Sequence, residues 1–410
     1  MDYIDVPSYF LCPISMQLMG DPVTVSTGIT YDRENIERWL YAFKNNTCPV
    51  TKQVVFDADL TPNHTLRRLI QAWCTLNASH GIERIPTPKP PVDKAHIVKL
   101  LNDAKKSPHT QLKCLGRLRS IAYGSERNKK CLEAAGAVEF LASIIKEDEE
   151  VGLDTGIEFN KVKDEALSIL NHIQTSETDL RKLLGDEGDF VEALIHVMNG
   201  ENYQSRTHAI MLLKAILEVG DPVHLITIKP DFFFGVVHIL QDQKILNQAS
   251  KAALKLLVEL CPWGRNRIKA VQAGAVSVLI ELLLDTSEMR ACELVLIVLN
   301  QLCSCAEGRA ELLKHGAGLA VVSKKILRVS HTGTDRAVRI LSSISRFSAT
   351  DRVLEEMLQA GVVSKLCLVL QVDCSLKAKD RAKEILKLHS RVWKNSSCIP
   401  PHLLSSYPTC

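Results

Sequence analysis

Three thiols and one imidazole, Cys12, Cys48, Cys74 and His64, are all the cysteine and histidine chemistry in the first 79 residues. A cross-braced pair of zinc sites needs eight Cys or His ligands, largely in closely spaced pairs. No two of these four residues lie close together, so a zinc site is excluded at this level. Cys12 and Cys48 could be proposed as covalent acceptors, but each stands directly before a proline, in Cys12-Pro13-Ile14 and Cys48-Pro49-Val50-Thr51. A nucleophilic thiol needs a base held beside it, and no His or acid sits in a recognisable partner motif nearby. Farther along, Cys303 and Cys305 are two residues apart on a helical stretch, so they face different ways and read as packing thiols.

Two Cys-Pro-apolar loops therefore carry the interest, and one amphipathic helix lies between them. Asp32 is the expected N-cap, with the helix running from about Arg33 to Phe43 and with Ile36, Trp39, Leu40 and Phe43 on one face. Periodicity alone places Trp39 in a core. Pro, Gly, Thr and Asp punctuation around short apolar runs makes residues 1–79 a small α/β unit with long loops. Residues 80–92, HGIERIPTPKPPV, carry four prolines and read as a semi-rigid linker.

From about residue 93 the chain reads as helix after helix, and it repeats. Gly136, Gly188, Pro230, Gly274, Gly316 and Gly361 each stand just ahead of an apolar helix, with separations of 52, 42, 44, 42 and 45. A glycine in the left-handed region lets one helix end and the next leave at a sharp angle. The long first interval holds an acidic insertion, residues 147–160, read as a surface loop. A second helix recurs between these, as in 114–121, 166–173, 209–216, 253–260, 295–302 and 337–344. A period in the low forties with two or three helices per unit matches armadillo or HEAT repeats, here about six over 93–395, followed by a flexible tail over 396–410.

Composition agrees. The chain has 410 residues, too many for one ordinary core, and 46% hydrophobic residues with only 5% aromatic, as stacked helices require. The net charge is +3, with six Lys/Arg against eight Asp/Glu in residues 1–79. No basic stripe marks a nucleic-acid binder. The N-terminus has no signal-peptide pattern, and Lys or Glu interrupts every long apolar run. Thirteen cysteines at irregular spacing point to a reducing compartment, so a cytoplasmic location is expected, with nuclear or transient, partner-borne membrane association left open.

Residues 5–79 resemble the U-box family. The matching residues are Phe10-Leu11-Cys12-Pro13-Ile14, Asp21-Pro22-Val23, Thr27-Gly28, Thr30-Tyr31-Asp32-Arg33, Trp39-Leu40, Cys48-Pro49, and Leu60-Thr61-Pro62-Asn63 with Leu66. The continuation RRLIQAWCTLN and GIERIPTPKPP resembles plant armadillo-bearing U-box ligases associated with stress and immune signalling. The fold implied is mostly α: a small α+β U-box, like a RING finger without zinc, followed by an α-solenoid. Structural zinc can supply roughly 10–16 kcal/mol of folding energy. Its replacement would come from Asp21, Thr24, Ser26, Thr30, Asp32, Arg33, Thr51 and Asn63, since buried hydrogen bonds to charged groups contribute about 1.5–3 kcal/mol each.

The resemblance implies a ubiquitin-protein ligase with no covalent ligase intermediate and no cofactor. A ubiquitin-conjugating enzyme docks on Ile14, Trp39 and Pro49, with Cys12 and Pro13 shaping the first loop and Lys52 standing where related ligases place a basic ubiquitin contact. Protein substrates would lie on the armadillo groove, the ligase would also modify itself, and a homodimer is compatible with the family. The competing reading is a nuclear-import carrier, which grips basic peptides with a ladder of Trp and Asn. The equivalent positions here are Arg119, Asn171, Lys214, Val258, Asn300 and Ser342, with no accompanying Trp, so the ladder is absent.

Overall fold

A computed structural model describes every residue except 1–5, 44, 56–59, 79–81, 84–91, 148–155, 174, 186–187, 221–227, 243–246, 394–406 and 408–410. Two compact units divide the chain, Met1–Ser176 and Glu177–Cys410.

The first unit opens with a small antiparallel sheet of order β2-β1-β3, in which β1 is Pro22–Thr24, β2 is Thr30–Asp32 and β3 is Thr61–Pro62. Val23 lies opposite both Tyr31 and Pro62, so β1 is central. The β1–β2 connection closes through Gly28, whose φ of 83° no side-chain-bearing residue adopts cheaply. Helix α1, Arg33–Glu37, follows β2 directly and continues as a π-turn over Arg38–Ala42, with the Phe43 N–H reaching Arg38 O at 3.1 Å. The expected uniform helix over 33–43 is therefore corrected, and so is its apolar face. Ile36 and Leu40 are buried and Trp39 is half-buried, but Phe43 is 70% exposed. A π-turn spends an extra residue per turn and rotates everything after it around the axis. Helix α2, His64–Leu76, is capped by Asn63, whose Oδ1 accepts the Leu66 N–H at 3.0 Å.

Helices Lys94–Ala104, Pro108–Ala122, Glu126–Ala134, Ala137–Lys146 and Gly156–His172 complete this unit. The last takes up residues 156–160, which correct the expected loop there, while 148–155 lie outside the described residues. In the second unit the long helices Tyr203–Val219, Gln248–Leu260, Met289–Leu302, His331–Phe347 and Leu376–Leu388 stack in succession, each on the next. Four of the six recurring segments read from the sequence fall in this series, which Leu376–Leu388 extends; the other two, 114–121 and 166–173, lie on Pro108–Ala122 and Gly156–His172 of the first unit.

Gly136, Gly188, Gly274 and Gly361 take φ of 78°, 73°, 86° and 70° at helix N-caps, as their spacing implied. Gly316 does not; there His315 leaves its helix in an extended conformation and Ala317 takes the N-cap position. Pro230 stands at the first turn of Pro230–Gln241, where its fixed φ suits a helix start. Of the linker, Ile82, Glu83 and Val92 are described. Of the expected flexible tail only Tyr407 is described; it is buried, and its hydroxyl donates to Leu386 O at 2.9 Å.

Candidate functional site: two matched loops on one helix

The two Cys-Pro loops share one backbone design. Antiparallel bridges Leu11–Leu18 and Thr47–Val54 close them. In the first, the Cys12 N–H donates to Gln17 O at 2.8 Å and the Met16 N–H to Cys12 O at 2.8 Å. In the second, the Cys48 N–H donates to Gln53 O at 2.8 Å and the Lys52 N–H to Cys48 O at 2.9 Å. Met16 and Lys52 both sit in the left-handed region, with φ of 56° and 61°. The sequences Cys-Pro-Ile-Ser-Met-Gln and Cys-Pro-Val-Thr-Lys-Gln match in apolar, hydroxyl and amide character at every position but the fifth, where Met16 corresponds to Lys52, a signal legible beforehand. Left-handed backbone is unfavourable for such residues by roughly 1–2 kcal/mol, offset here by the flanking bonds.

Each cysteine is buried and serves as a hydrogen-bond hub. Cys12 Sγ accepts the Asp32 N–H at 3.3 Å and Asn35 Nδ2–H at 3.7 Å, and Asn35 also donates to Ser15 Oγ at 3.1 Å. Cys48 Sγ lies 3.0 Å from the Tyr31 hydroxyl and 3.5 Å from the Thr51 N–H. The Tyr31 hydroxyl oxygen in turn accepts the Val50 N–H at 3.3 Å, and its own proton can be directed at the sulfur. Burial pushes the Cys48 thiol up, but hydroxyls of Thr27, Thr51 and Tyr31 and the Thr51 N–H outweigh it and bring the pKa down to about 6. Burial and the bond to Cys48 hold the Tyr31 phenol well above its ordinary value. Among the described residues no three His, Cys, Asp or Glu side chains gather as metal ligands.

The polar residues expected to brace the loops form two sets. In the first, Asp32 Oδ1 accepts the N–H groups of Gly20 and Asp21 at 2.8 and 2.9 Å. Asp21 holds Arg33 Nε at 2.6 Å and lies 3.8 Å from Arg67. Asp32 thus occupies the N-cap position without capping: its carboxylate turns back to the preceding loop, and the Arg33 N–H is taken by Asp21 O at 2.9 Å. In the second set Thr24 and Thr30 pair at 2.9 Å, and Asn63 Nδ2–H reaches Thr24 at 3.4 Å across the sheet. Ser26 is exposed. Sequence reasoning missed Tyr31 and Asn35, whose donor groups reach the sulfurs only once the strand and helix are in place.

Trp39 packs partly on the core and donates Nε1–H to Thr47 O at 2.7 Å. The Lys52 ammonium stands over the indole, 5.8 Å from its centroid. Ile14 is half-buried against the same core, Pro13 and Val50 are exposed and Pro49 is half-buried. One helix therefore ties down both loops, the first through Asn35 and the second through Trp39.

The family described as "U-box domain" matches residues 6–79, and "Plant U-box protein ARM repeat region" matches residues 96–409. This chain belongs to the plant U-box proteins with armadillo repeats. It is 58% identical to the Arabidopsis thaliana E3 ubiquitin-protein ligase PUB23 over 99% of this chain and 98% of that protein. It is 53% identical to the Arabidopsis thaliana E3 ubiquitin-protein ligase PUB22 over 99% of each. A chain in a solved structure on the cadherin–β-catenin interaction shares the fold, with a TM-score of 0.55, 14% identity, and coverage of 81% of this chain and 58% of that one. The plant U-box protein is accordingly a ubiquitin-protein transferase of the RING/U-box type. No helix among its described residues is long and apolar enough to cross a membrane.

Proposed function

We propose that Ile14, Trp39 and Pro49, with Cys12 and Pro13 setting the first loop, form the surface on which a ubiquitin-conjugating enzyme docks. The observation that carries this reading is the tie of both loops to α1, through Asn35 to Ser15 and through Trp39 to Thr47, which leaves an apolar edge at the solvent. The conjugating enzyme brings ubiquitin as a thioester on its own cysteine, and the ligase contributes proximity and orientation to the attacking lysine. Lys52, stacked over Trp39 from a left-handed residue, is the ubiquitin-facing cation in this arrangement.

The armadillo unit selects the substrate, and the ligase modifies its own lysines as well. Three of the six ladder positions argue against peptide-gripping of the import-carrier kind. Arg119 is paired to Glu165 at 2.9 Å, Lys214 to Glu218 at 2.6 Å, and Ser342 is buried. A place in stress or immune signalling, through degradation of substrates, rests on the family resemblance, and a cytoplasmic location on the thirteen irregularly spaced cysteines.

The test is ubiquitin transfer by the purified full chain with a charged conjugating enzyme and excess chelator. Activity survives chelation, and Ile14→Ala and Trp39→Ala each lower it about thirtyfold, the value of one interface hot spot of about 2 kcal/mol. Equal activity in Ile14→Ala, with its fold intact, refutes the docking assignment.

A further inference from the structure

The rear of α1 carries groups that the loops do not use. Glu37 is 2% exposed; its Oε1 lies 3.7 Å from Arg33 Nη1, and the nearby Arg127, through its backbone N–H and its charge, favours the ionised carboxylate against the burial that opposes it. Tyr41, one turn later, faces Lys130, whose Nζ stands 4.2 Å from the ring centroid. Arg127 and Lys130 both belong to helix Glu126–Ala134 of the first armadillo repeat, which packs on Arg33–Glu37 and on Arg38–Ala42 within the unit Met1–Ser176.

That helix is short of an acceptor at the point where Glu37 arrives. Its N-cap Ser125 takes the Asn128 N–H at 3.2 Å, while the Arg127 N–H lies in the first turn and has no acceptor within the helix. A carboxylate there meets the positive end of the helix dipole. The fit is reciprocal, because a carboxylate this buried is costly unless hydrogen-bonded and paired. Asn35 and Trp39 reach the loops from one side of α1, and Glu37 and Tyr41 meet the armadillo helix from the other.

We propose that helix Glu126–Ala134 is an intramolecular docking surface for the U-box, which holds the transfer module in one pose against the first armadillo repeat. The reach of transferred ubiquitin is then set by a fixed contact. The consequence for lysine choice rests on the docking reading above, whereas the clamp itself does not.

Hydrogen exchange on the full-length chain tests the clamp. Glu37→Ala in the U-box should speed exchange in the armadillo segment 125–131 about tenfold, the effect of losing one favourable contact between a carboxylate and the first turn of that helix. Because that substitution could also loosen the U-box itself, Lys130→Glu supplies the reciprocal measurement from the armadillo side. It should speed exchange in 33–43 while strands 22–24 and 30–32 keep their protection. If segment 125–131 ignores Glu37→Ala, or segment 33–43 ignores Lys130→Glu, the clamp is wrong. Loss of conjugating-enzyme docking would appear in the transfer assay and leave these exchange patterns unchanged.

Discussion

Replacing Asp32 separates two contributions of one carboxylate. Its Oδ1 is the acceptor for two backbone N–H groups, of Gly20 and Asp21, at 2.8 and 2.9 Å in a partly buried site. Asp32→Ala strands both donors. At about 1–3 kcal/mol for each partly buried orphan, the expected loss is about 2–6 kcal/mol. Asp32→Asn keeps an acceptor oxygen in place and removes the charge. Burial raises the pKa of Asp32, with the Asp21 and Gly20 N–H groups pulling the other way. A folded pKa above the unfolded value means that this carboxyl's favourable contribution is complete below its unfolded pKa and is lost as pH rises through the folded one. At neutral pH the ionised group thus carries a net cost, and Asp32→Asn should change stability by less than about 1 kcal/mol in either direction. Hydrogen exchange in segments 22–24 and 30–32 across a denaturant series, for both variants at neutral pH, makes the comparison. If Asp32→Asn is as damaging as Asp32→Ala, the bracing is electrostatic rather than a matter of acceptors, and the reasoning fails.

Tyr31→Phe should cost about 1–2 kcal/mol at neutral pH by removing a donor to the Cys48 sulfur. A thiol whose folded pKa is lowered to about 6 adds stability that is complete above the ordinary thiol value and lost as pH falls through about 6. The gap between wild type and Tyr31→Phe should therefore narrow between about pH 8 and about pH 5 in denaturant titrations, and a gap that widens would sink the thiolate assignment. Gly274→Ala should lower stability by about 1–2 kcal/mol, because φ is 86° there with open space around the position. Gly308→Ala should be worse, about 3 kcal/mol or more, because an added Cβ would lie 2.0 Å from Leu302 O; calorimetry that ranks the two the other way contradicts this packing.

Much of the architecture was legible because it depends on local rules. Recurrent apolar spacing with a turn residue every forty-odd positions marks a stack of helices whatever their detailed geometry, and the glycines at 136, 188, 274 and 361 adopt the conformation that spacing implies. The matched Cys-Pro loops and the lack of paired Cys and His were equally open to reading, since loop identity and ligand supply are properties of the chain alone. Partner choice was not. Asp32 looked like a helix cap, and its position is right, but two N–H groups from a loop eleven and twelve residues earlier compete for the same oxygen and win. Phe43 left the apolar face because a π-turn, invisible in the periodicity, rotates it outward. Nothing in the sequence marks Glu37 as buried; only the packing of helix Glu126–Ala134 on Arg33–Glu37 covers it. Sequence settled the modules and their order, because those follow from spacing and residue supply; tertiary structure alone settled which polar groups meet, because each donor has several acceptors within reach until folding removes all but one.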